Sequence, residues 1–321
     1  MLSRHIVTRL RCPNCRSEIS DEDGGLRCRE GHALPLVDGY IDASGLPPDE
    51  ASRRTLERFG YEWTTFDCIQ PEDHEFWSNY FDDVPPESLV GRIGVDVGCG
   101  KGRYAYFTAP LLRALVALDG SSAVTAAAKN LAEFENVVVV RADLRQAPLA
   151  GETFDFVYCL GVLHHLPDPR EGFRSLVGLL ARGGRLLIYV YSRPEHPGMR
   201  RMGLAAAALL RRATTRLPPP AVRALSALIA PALYVAFVIP GRVGERLGLP
   251  ALEQLPLGTY RGRPLRSLWL DTFDRLAAPL ERRFVWSEIE PWFADAGLVV
   301  ERVRENAGLF VLARRPDRTS G

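Results

Sequence analysis

Lysine is almost missing from this chain: Lys101 and Lys129 stand against 38 arginines in 321 residues. The net charge is +1, so no overall excess of one sign directs the protein to nucleic acid or to a membrane. Six cysteines are too few for a disulfide scaffold, and the spacing of three of them points to a metal in a reducing compartment. The opening "MLSRHIVTRLRCPNC" lacks an apolar h-region, so no secretory signal and a cytoplasmic location are expected. A hydrophobic content of 46% and a charged content of 25% are those of a soluble globular chain. The length allows one large domain with appendages, or two domains.

The near-zero net charge hides an uneven distribution. Residues 47–89 carry 3 basic and 11 acidic side chains, whereas residues 193–285 carry 15 basic and 6 acidic ones. The basic stretch reads as a phosphate- or lipid-seeking surface. Two other readings stand beside it: an arginine-rich composition inherited from a GC-rich genome, and an acidic and a basic stretch that face each other.

Residues 1–46 read as a small separate module. "CPNC" and "CREGH" place Cys12, Cys15, Cys28 and His32 in the pattern C-x2-C-x12-C-x3-H, two knuckles on either side of the hairpin "DEDGG". Four such ligands close a tetrahedral structural zinc site and leave no open position for catalysis. A module this small buries too little apolar surface to fold alone, so the metal would supply its stability.

Residues 47–89 begin with the linker-like "GLPPDE" and continue with aromatic, partly helical segments, "LERFGYEWTTF" and "EFWSNYF". From about residue 90 apolar runs alternate with helical spacing through residue 192 and again over 286–316. Strands apolar on both faces that alternate with helices indicate a parallel sheet covered on both sides. "VWSEIEPWFADAG" reads as a helix with Ser287 as N-cap and Gly297 as its stop, before a closing antiparallel pair. Residues 193–285 interrupt the alternation. Within them residues 224–241 form an 18-residue uncharged run, and Pro231 near its middle argues against a membrane-spanning helix. A bent helical pair that forms a lid or lies on a membrane surface fits better.

The stretch "VDVGCGKGRY" holds Gly98, Gly100 and Gly102 after the first core strand. A Walker A loop fails, because Val95 stands where its first glycine belongs and Gly102 replaces the Ser/Thr. A dinucleotide fingerprint fails on spacing, and Asp96 would repel a pyrophosphate. The same carboxylate would attract an ammonium or a sulfonium, and S-adenosylmethionine carries both. Asp119 lies 21 residues past Gly98, at the next strand end, where a carboxylate can accept both ribose hydroxyls. Asp143 ends the third strand and could accept the adenine amino group.

Together these motifs resemble a class I S-adenosylmethionine-dependent methyltransferase. "DVGCGKG", "LDGS", "ADL", "FDFVYCLGVLHHLPDP" and "LLARGGRLLIYVY" match the family's successive motifs. The resemblance implies an α/β, Rossmann-like, mainly parallel seven-stranded sheet with a C-terminal antiparallel hairpin and a helical insertion after strand five. It further implies that Asp96, Gly98, Gly100 and Gly102 contact the methionyl part, Asp119 and Gly120 hold the ribose, and Asp143 with Leu144 holds the adenine. Leu160 would line the site near the methyl group. Residues 1–46 resemble the zinc-ribbon modules of some methyltransferases, including bacterial guanine-N1 rRNA enzymes, in architecture and ligand spacing only.

The strand-four motif is "LGVL", not the [DNS]-P-P-[YFW] of enzymes that methylate exocyclic amines of adenine or cytosine. His165 can serve as a base toward a hydroxyl, or "LHHLPDP" serves turn geometry alone. Tyr61, Trp63, Trp77 and Tyr80 cap the cofactor or pack a helical cap. The lipophilic insertion suggests a small hydrophobic acceptor methylated at oxygen or carbon. RNA is the alternative acceptor, although residues 1–46 hold 6 Lys/Arg against 7 Asp/Glu. Chemistry other than methyl transfer, or a non-catalytic docking role, is a further alternative. Peripheral membrane contact and a monomeric or homodimeric state complete the expectations.

Overall fold

Nine strands form the main sheet of the computed structural model, which describes residues 3–22, 25–45, 49–193, 199–306 and 308–317. The chain starts with helix α1 (Arg4–Val7) and a small antiparallel sheet of β1 (Ile19–Glu22), β2 (Gly25–Cys28) and β3 (Ala33–Leu34). Strands β4 (Leu36–Val37) and β5 (Tyr40–Asp42) follow, then helices α2 (Glu50–Thr65) and α3 (Pro71–Tyr80). The alternating region comprises β6 (Ile93–Val97), α4 (Arg103–Thr108), β7 (Ala114–Asp119), α5 (Val124–Asn130), β8 (Val137–Arg141), β9 (Phe154–Leu160), α6 (Pro169–Leu179) and β10 (Leu180–Tyr191). The tip of the "DEDGG" hairpin, residues 23–24, and linker residues 46–48 lie outside the described residues.

The chain divides into two compact units, Met1–Arg193 with Leu280–Gly321, and Pro194–Pro279. The second contains α7 (Met199–Thr214), α8 (Pro219–Leu233), α9 (Ile239–Leu247), α10 (Pro250–Glu253) and α11 (Leu265–Ala277). Its own core is Ala230, Val238, Tyr260 and Leu268. The first unit closes with α12 (Trp286–Asp295), β11 (Val299–Glu305) and β12 (Gly308–Arg314).

The sheet order is β11-β12-β10-β9-β6-β7-β8-β5-β4. Strands β10, β9, β6, β7, β8 and β5 run parallel, whereas β12 is antiparallel to both β10 and β11. Seven of these strands make the expected Rossmann-like sheet with its reversed hairpin. Two more come from the N-terminal residues, where β5 pairs with β8 and carries β4 at its outer edge. Ile6, Leu10, Ile19, Leu26, Leu34 and Ile41 share one core with Val95, Val116 and Phe173. The N-terminal residues therefore draw stability from the main sheet as well as from any metal. Helices α6 and α12 cover that face, and α4 and α5 cover the other.

Two local readings change. Helix α12 is capped two residues earlier than at Ser287: Val285 is the N-cap, and its N–H donates to the Glu288 carboxylate at 3.1 Å. That single bond, half of a capping box because valine has no side-chain acceptor, satisfies the Val285 N–H. Gly297, with φ at +64°, ends the helix as read. Nor does Pro231 interrupt its helix, which runs from Pro219 to Leu247 as 29 residues. A π-helical turn, Tyr234–Val238, begins three residues after the proline. Proline removes one N–H and crowds the carbonyl four residues back, and a widened turn is one way for the ladder to absorb the mismatch.

Candidate functional site

Strand β6 is buried along its whole length because both faces of the sheet are covered, and Asp96 sits inside it at 1% exposure. Among the described residues its Oδ2 atom has no hydrogen-bond partner. Burial, reinforced by the nearby Asp119 charge, pushes the Asp96 pKa well above the usual carboxylate range. A buried acceptor left unpaired costs free energy, and a cation arriving beside it would recover that cost.

The glycine loop starts at the end of this strand. Gly98 and Gly100 have φ of +79° and +55°, a region costly for any residue with a Cβ. Space enforces the same choice: a Cβ on Gly98 would lie 2.2 Å from Val162 Cγ2, and one on Gly100 would lie 3.1 Å from the Trp63 indole nitrogen. Gly102 caps the start of α4.

Asp119 ends β7 and binds the loop together. One carboxylate oxygen accepts the Gly100 N–H at 2.9 Å; the other accepts the Ser121 N–H at 2.8 Å and its hydroxyl at 2.6 Å. A carboxylate has about four acceptor positions, so one remains for a ligand hydroxyl. Asp143 is held more tightly. Arg145 approaches it through Nη2 at 2.7 Å and Nε at 3.0 Å, and the Arg145 N–H adds a third bond at 2.8 Å. The same guanidinium donates to Ser52 at 3.1 Å and lies 3.8 Å from Asp49, which ties this corner to the start of α2. Leu144, just past β8, and Leu160, at the end of β9, are both buried, and β6 and β7 lie between those two strands.

Helix α2 lies over these loops. A Cβ on Gly60 would meet Ser122 Oγ at 2.4 Å, and one on Gly120 would meet Leu56 at 2.9 Å. The Phe59 ring centroid is 4.7 Å from that of His165, and the Trp63 ring lies 5.1 Å from the Arg103 guanidinium. One helix thus touches the turns after β6, β7 and β9. Leu56, Phe59 and Gly60 escaped sequence reasoning; a glycine inside a helical pattern was the available signal of close approach. Of the aromatic residues weighed as caps, Trp63 faces the glycine loop. Trp77 donates to Thr108 at 3.0 Å and stacks on Phe81, whereas Tyr80 packs among Tyr104, Tyr189 and Phe310.

Lys101, between two loop glycines, turns inward. Its Nζ lies 2.8 Å from Asp73 Oδ2 and donates to the Cys68 carbonyl at 2.6 Å. Asn130 adds bonds to the Lys101 and Asp67 carbonyls at 2.9 and 2.6 Å. The segment joining α2 to α3 is thereby fastened to the glycine loop.

After β9 the chain turns through His164 and His165, both buried. The two ring nitrogens of His164 have no hydrogen-bond partner among the described residues, and burial, then the adjacent His165, pushes its pKa well below the usual range. Its ring packs on Tyr191, with ring centroids 3.9 Å apart. His165 Nδ1 lies 2.6 Å from the Leu280 carbonyl. A carbonyl only accepts, so Nδ1 carries a proton in this contact.

The four metal-ligand candidates converge, with ligand atoms all within 4.8 Å of one another. Cys15 and Cys28 sulfurs are 3.7 Å apart, and His32 Nδ1 is 3.5 Å from Cys12 and 3.4 Å from Cys28. A tetrahedron with Zn–S bonds of about 2.3 Å has edges of roughly 3.8 Å, so the set fits that ion. Hydrogen bonding to Ser17 pulls the Cys15 thiol down to about 7, toward the thiolate that binds metal.

Residues 95–188, which carry the glycine loop, the strand-end acids and the histidine turn, match a family model described as a methyltransferase domain. An uncharacterized protein of Synechococcus sp. is 37% identical over 181 residues, covering 54% of this chain and 40% of its own length. The tRNA (carboxymethyluridine(34)-5-O)-methyltransferase of Saccharomyces cerevisiae is 32% identical over 34% of this chain and 42% of its own. A ubiquinone biosynthesis O-methyltransferase of Coxiella burnetii is 29% identical over 33% of this chain and 46% of its own. The chain spans less than half the length of each of these relatives.

Proposed function

We propose that this protein transfers a methyl group from S-adenosylmethionine to an oxygen of a small, rather hydrophobic acceptor. The observation that carries the reading is Asp96, a buried carboxyl with an unpartnered oxygen at the mouth of a glycine loop. Such a site suits a cationic ligand and disfavours a phosphate. The cofactor would supply an activated methyl on a sulfonium, so positioning provides most of the acceleration. Asp96 with Gly98, Gly100 and Gly102 would hold the methionyl end, Asp119 and Gly120 the ribose, and Asp143 with Leu144 the adenine. Helix α2 would exclude water. His165 is the candidate base: Leu280 orients its ring so that Nε2 can take the acceptor proton. Oxygen is favoured over carbon because both named relatives are O-methyltransferases.

Cys12, Cys15, Cys28 and His32 would hold a structural zinc ion with no open position, and the reaction would proceed in the cytoplasm. One relative acts on tRNA, so RNA is the second reading. Calorimetry with S-adenosylmethionine and S-adenosylhomocysteine tests the cofactor, and Asp119→Ala should abolish binding. Absence of binding by the wild type, or unchanged affinity in the variant, refutes the reading. Labelled methyl appearing in RNA, rather than in an organic-solvent extract of cells, would transfer the assignment to the second reading.

A further inference from the structure

We propose that the helical unit Pro194–Pro279 docks on an anionic lipid surface through the outer side of its longest helix. That helix, Pro219–Leu247, is apolar on two opposite sides. Val222, Ser226, Ala230 and Val238 are buried within the unit, and the Trp269 indole N–H in α11 donates to Ser226 at 3.0 Å. The other side presents Leu228, Val235, Ile239 and Val243, which are 75%, 62%, 44% and 43% exposed. Their helical spacing makes one stripe roughly 22 Å long. The only polar side chains in residues 224–241 are Ser226 and Tyr234, and Tyr234 donates to the Arg263 carbonyl at 3.3 Å within the unit. No polar side chain therefore stands on the exposed side between Arg223 and Arg242. A helix facing only water carries polar residues outward, and an exposed apolar stripe of this length marks a contact surface.

Charge selects the occupant. Residues 196–244 contain seven arginines and no acidic residue, and Arg201, Arg212, Arg216 and Arg223 are exposed. A second copy would bring the same run of arginines, which holds no acidic residue of its own, against itself. Anionic lipid headgroups neutralise arginines while the acyl boundary receives the apolar stripe. The helix lies in the plane of the interface and does not span it. Its inner side is packed on α11, which carries Arg266, Asp271, Asp274 and Arg275, and a spanning arrangement would bury those charges in hydrocarbon.

Co-sedimentation of the full chain with phosphatidylcholine vesicles and with mixed phosphatidylcholine–phosphatidylserine vesicles tests this without cofactor or acceptor, so its outcome is separate from that of the methyl-transfer reading. Wild type should partition to the anionic vesicles only, and less so as salt rises. Leu228→Ser/Val235→Ser/Ile239→Ser should lower the partition coefficient at least about ten-fold with an unchanged melting temperature, since all three positions are exposed. Neutralising Arg212, Arg216 and Arg223 to glutamine should lower it on the order of a hundred-fold, about five-fold for each charge. Wild type left in the supernatant with anionic vesicles, or an unchanged partition of the serine variant, overturns the proposal. So does a wild-type dimer that the serine variant makes monomeric, or RNA binding through these arginines without vesicle binding.

Discussion

Replacing Lys101 with methionine should be among the most destabilising single changes on the polar side of this structure. The Lys101 and Asp73 side chains are only 3% and 6% exposed and are paired at 2.8 Å. At an effective dielectric of about 20 their mutual attraction is on the order of 6 kcal/mol, most of it offset by the desolvation of two buried ions. The net value of the pair is therefore small, but the cost of breaking it is not. Methionine fills the space of the lysine stem and leaves Asp73 buried, with the Gln70 N–H at 2.9 Å and the Arg103 guanidinium at 3.9 Å as its remaining partners. An uncompensated buried charge costs about 3–5 kcal/mol. Asp73→Leu alone should cost a similar amount, because it strands the ammonium. In the double variant Lys101→Met/Asp73→Leu no ion remains, and the residual loss is the cap that Asp73 makes at the start of α3, about 1 kcal/mol. Urea denaturation of the four proteins gives the coupling energy, and each single variant should lower the midpoint by roughly 1–2 M. Two results would refute the reasoning: single variants that each cost less than about 1 kcal/mol, or a double variant as unstable as the sum of the singles.

Two further predictions concern the candidate cofactor and metal sites. Because the Asp96 pKa is raised in the folded state, the native protein binds more protons than the unfolded chain above the ordinary carboxylate pKa of 3.8. Stability from this group is present below about 3.8 and declines as pH rises toward the folded pKa, and Asp96→Asn should flatten that part of the profile while weakening S-adenosylmethionine. A profile unchanged by the substitution would contradict the assignment of Asp96 as a buried, unpaired acid. Purified protein should contain about one equivalent of zinc, and Cys28→Ser or chelation should lower the melting temperature and expose the N-terminal residues to protease. Less than about half an equivalent would count against the metal site.

Much of the architecture was legible because its signals are local. Apolar runs with glycine ends marked β6, β7 and β9, and helical spacing between them marked α4, α5 and α6. Gly98 and Gly100 marked a glycine-rich turn after the first core strand, and two paired knuckles announced Cys12, Cys15, Cys28 and His32 as one cluster. What could not be read are pairings between distant residues, which no spacing encodes. Lys101 stands between two loop glycines, and nothing in that spacing tells that it pairs with Asp73. Asp143 was read as an acceptor for the adenine, with no sign that Arg145 would bond it as well. In the aromatic segment from 47 to 89, Gly60 could signal a close approach but not its partner Ser122, and no spacing told that Trp77 and Tyr80 would pack against the core.

The sequence by itself determined the order of strands and helices, the conformation of the glycine loop and the metal-ligand spacing. All of these follow from backbone freedom and side-chain periodicity within a few residues. Only the tertiary structure decided that β4 and β5 extend the sheet beyond β8, that α2 crosses three loops, and that Asp96 keeps an unpaired oxygen. Those outcomes depend on which long-range contacts bury the most apolar surface while leaving the fewest polar groups unsatisfied. That balance is struck across the whole fold.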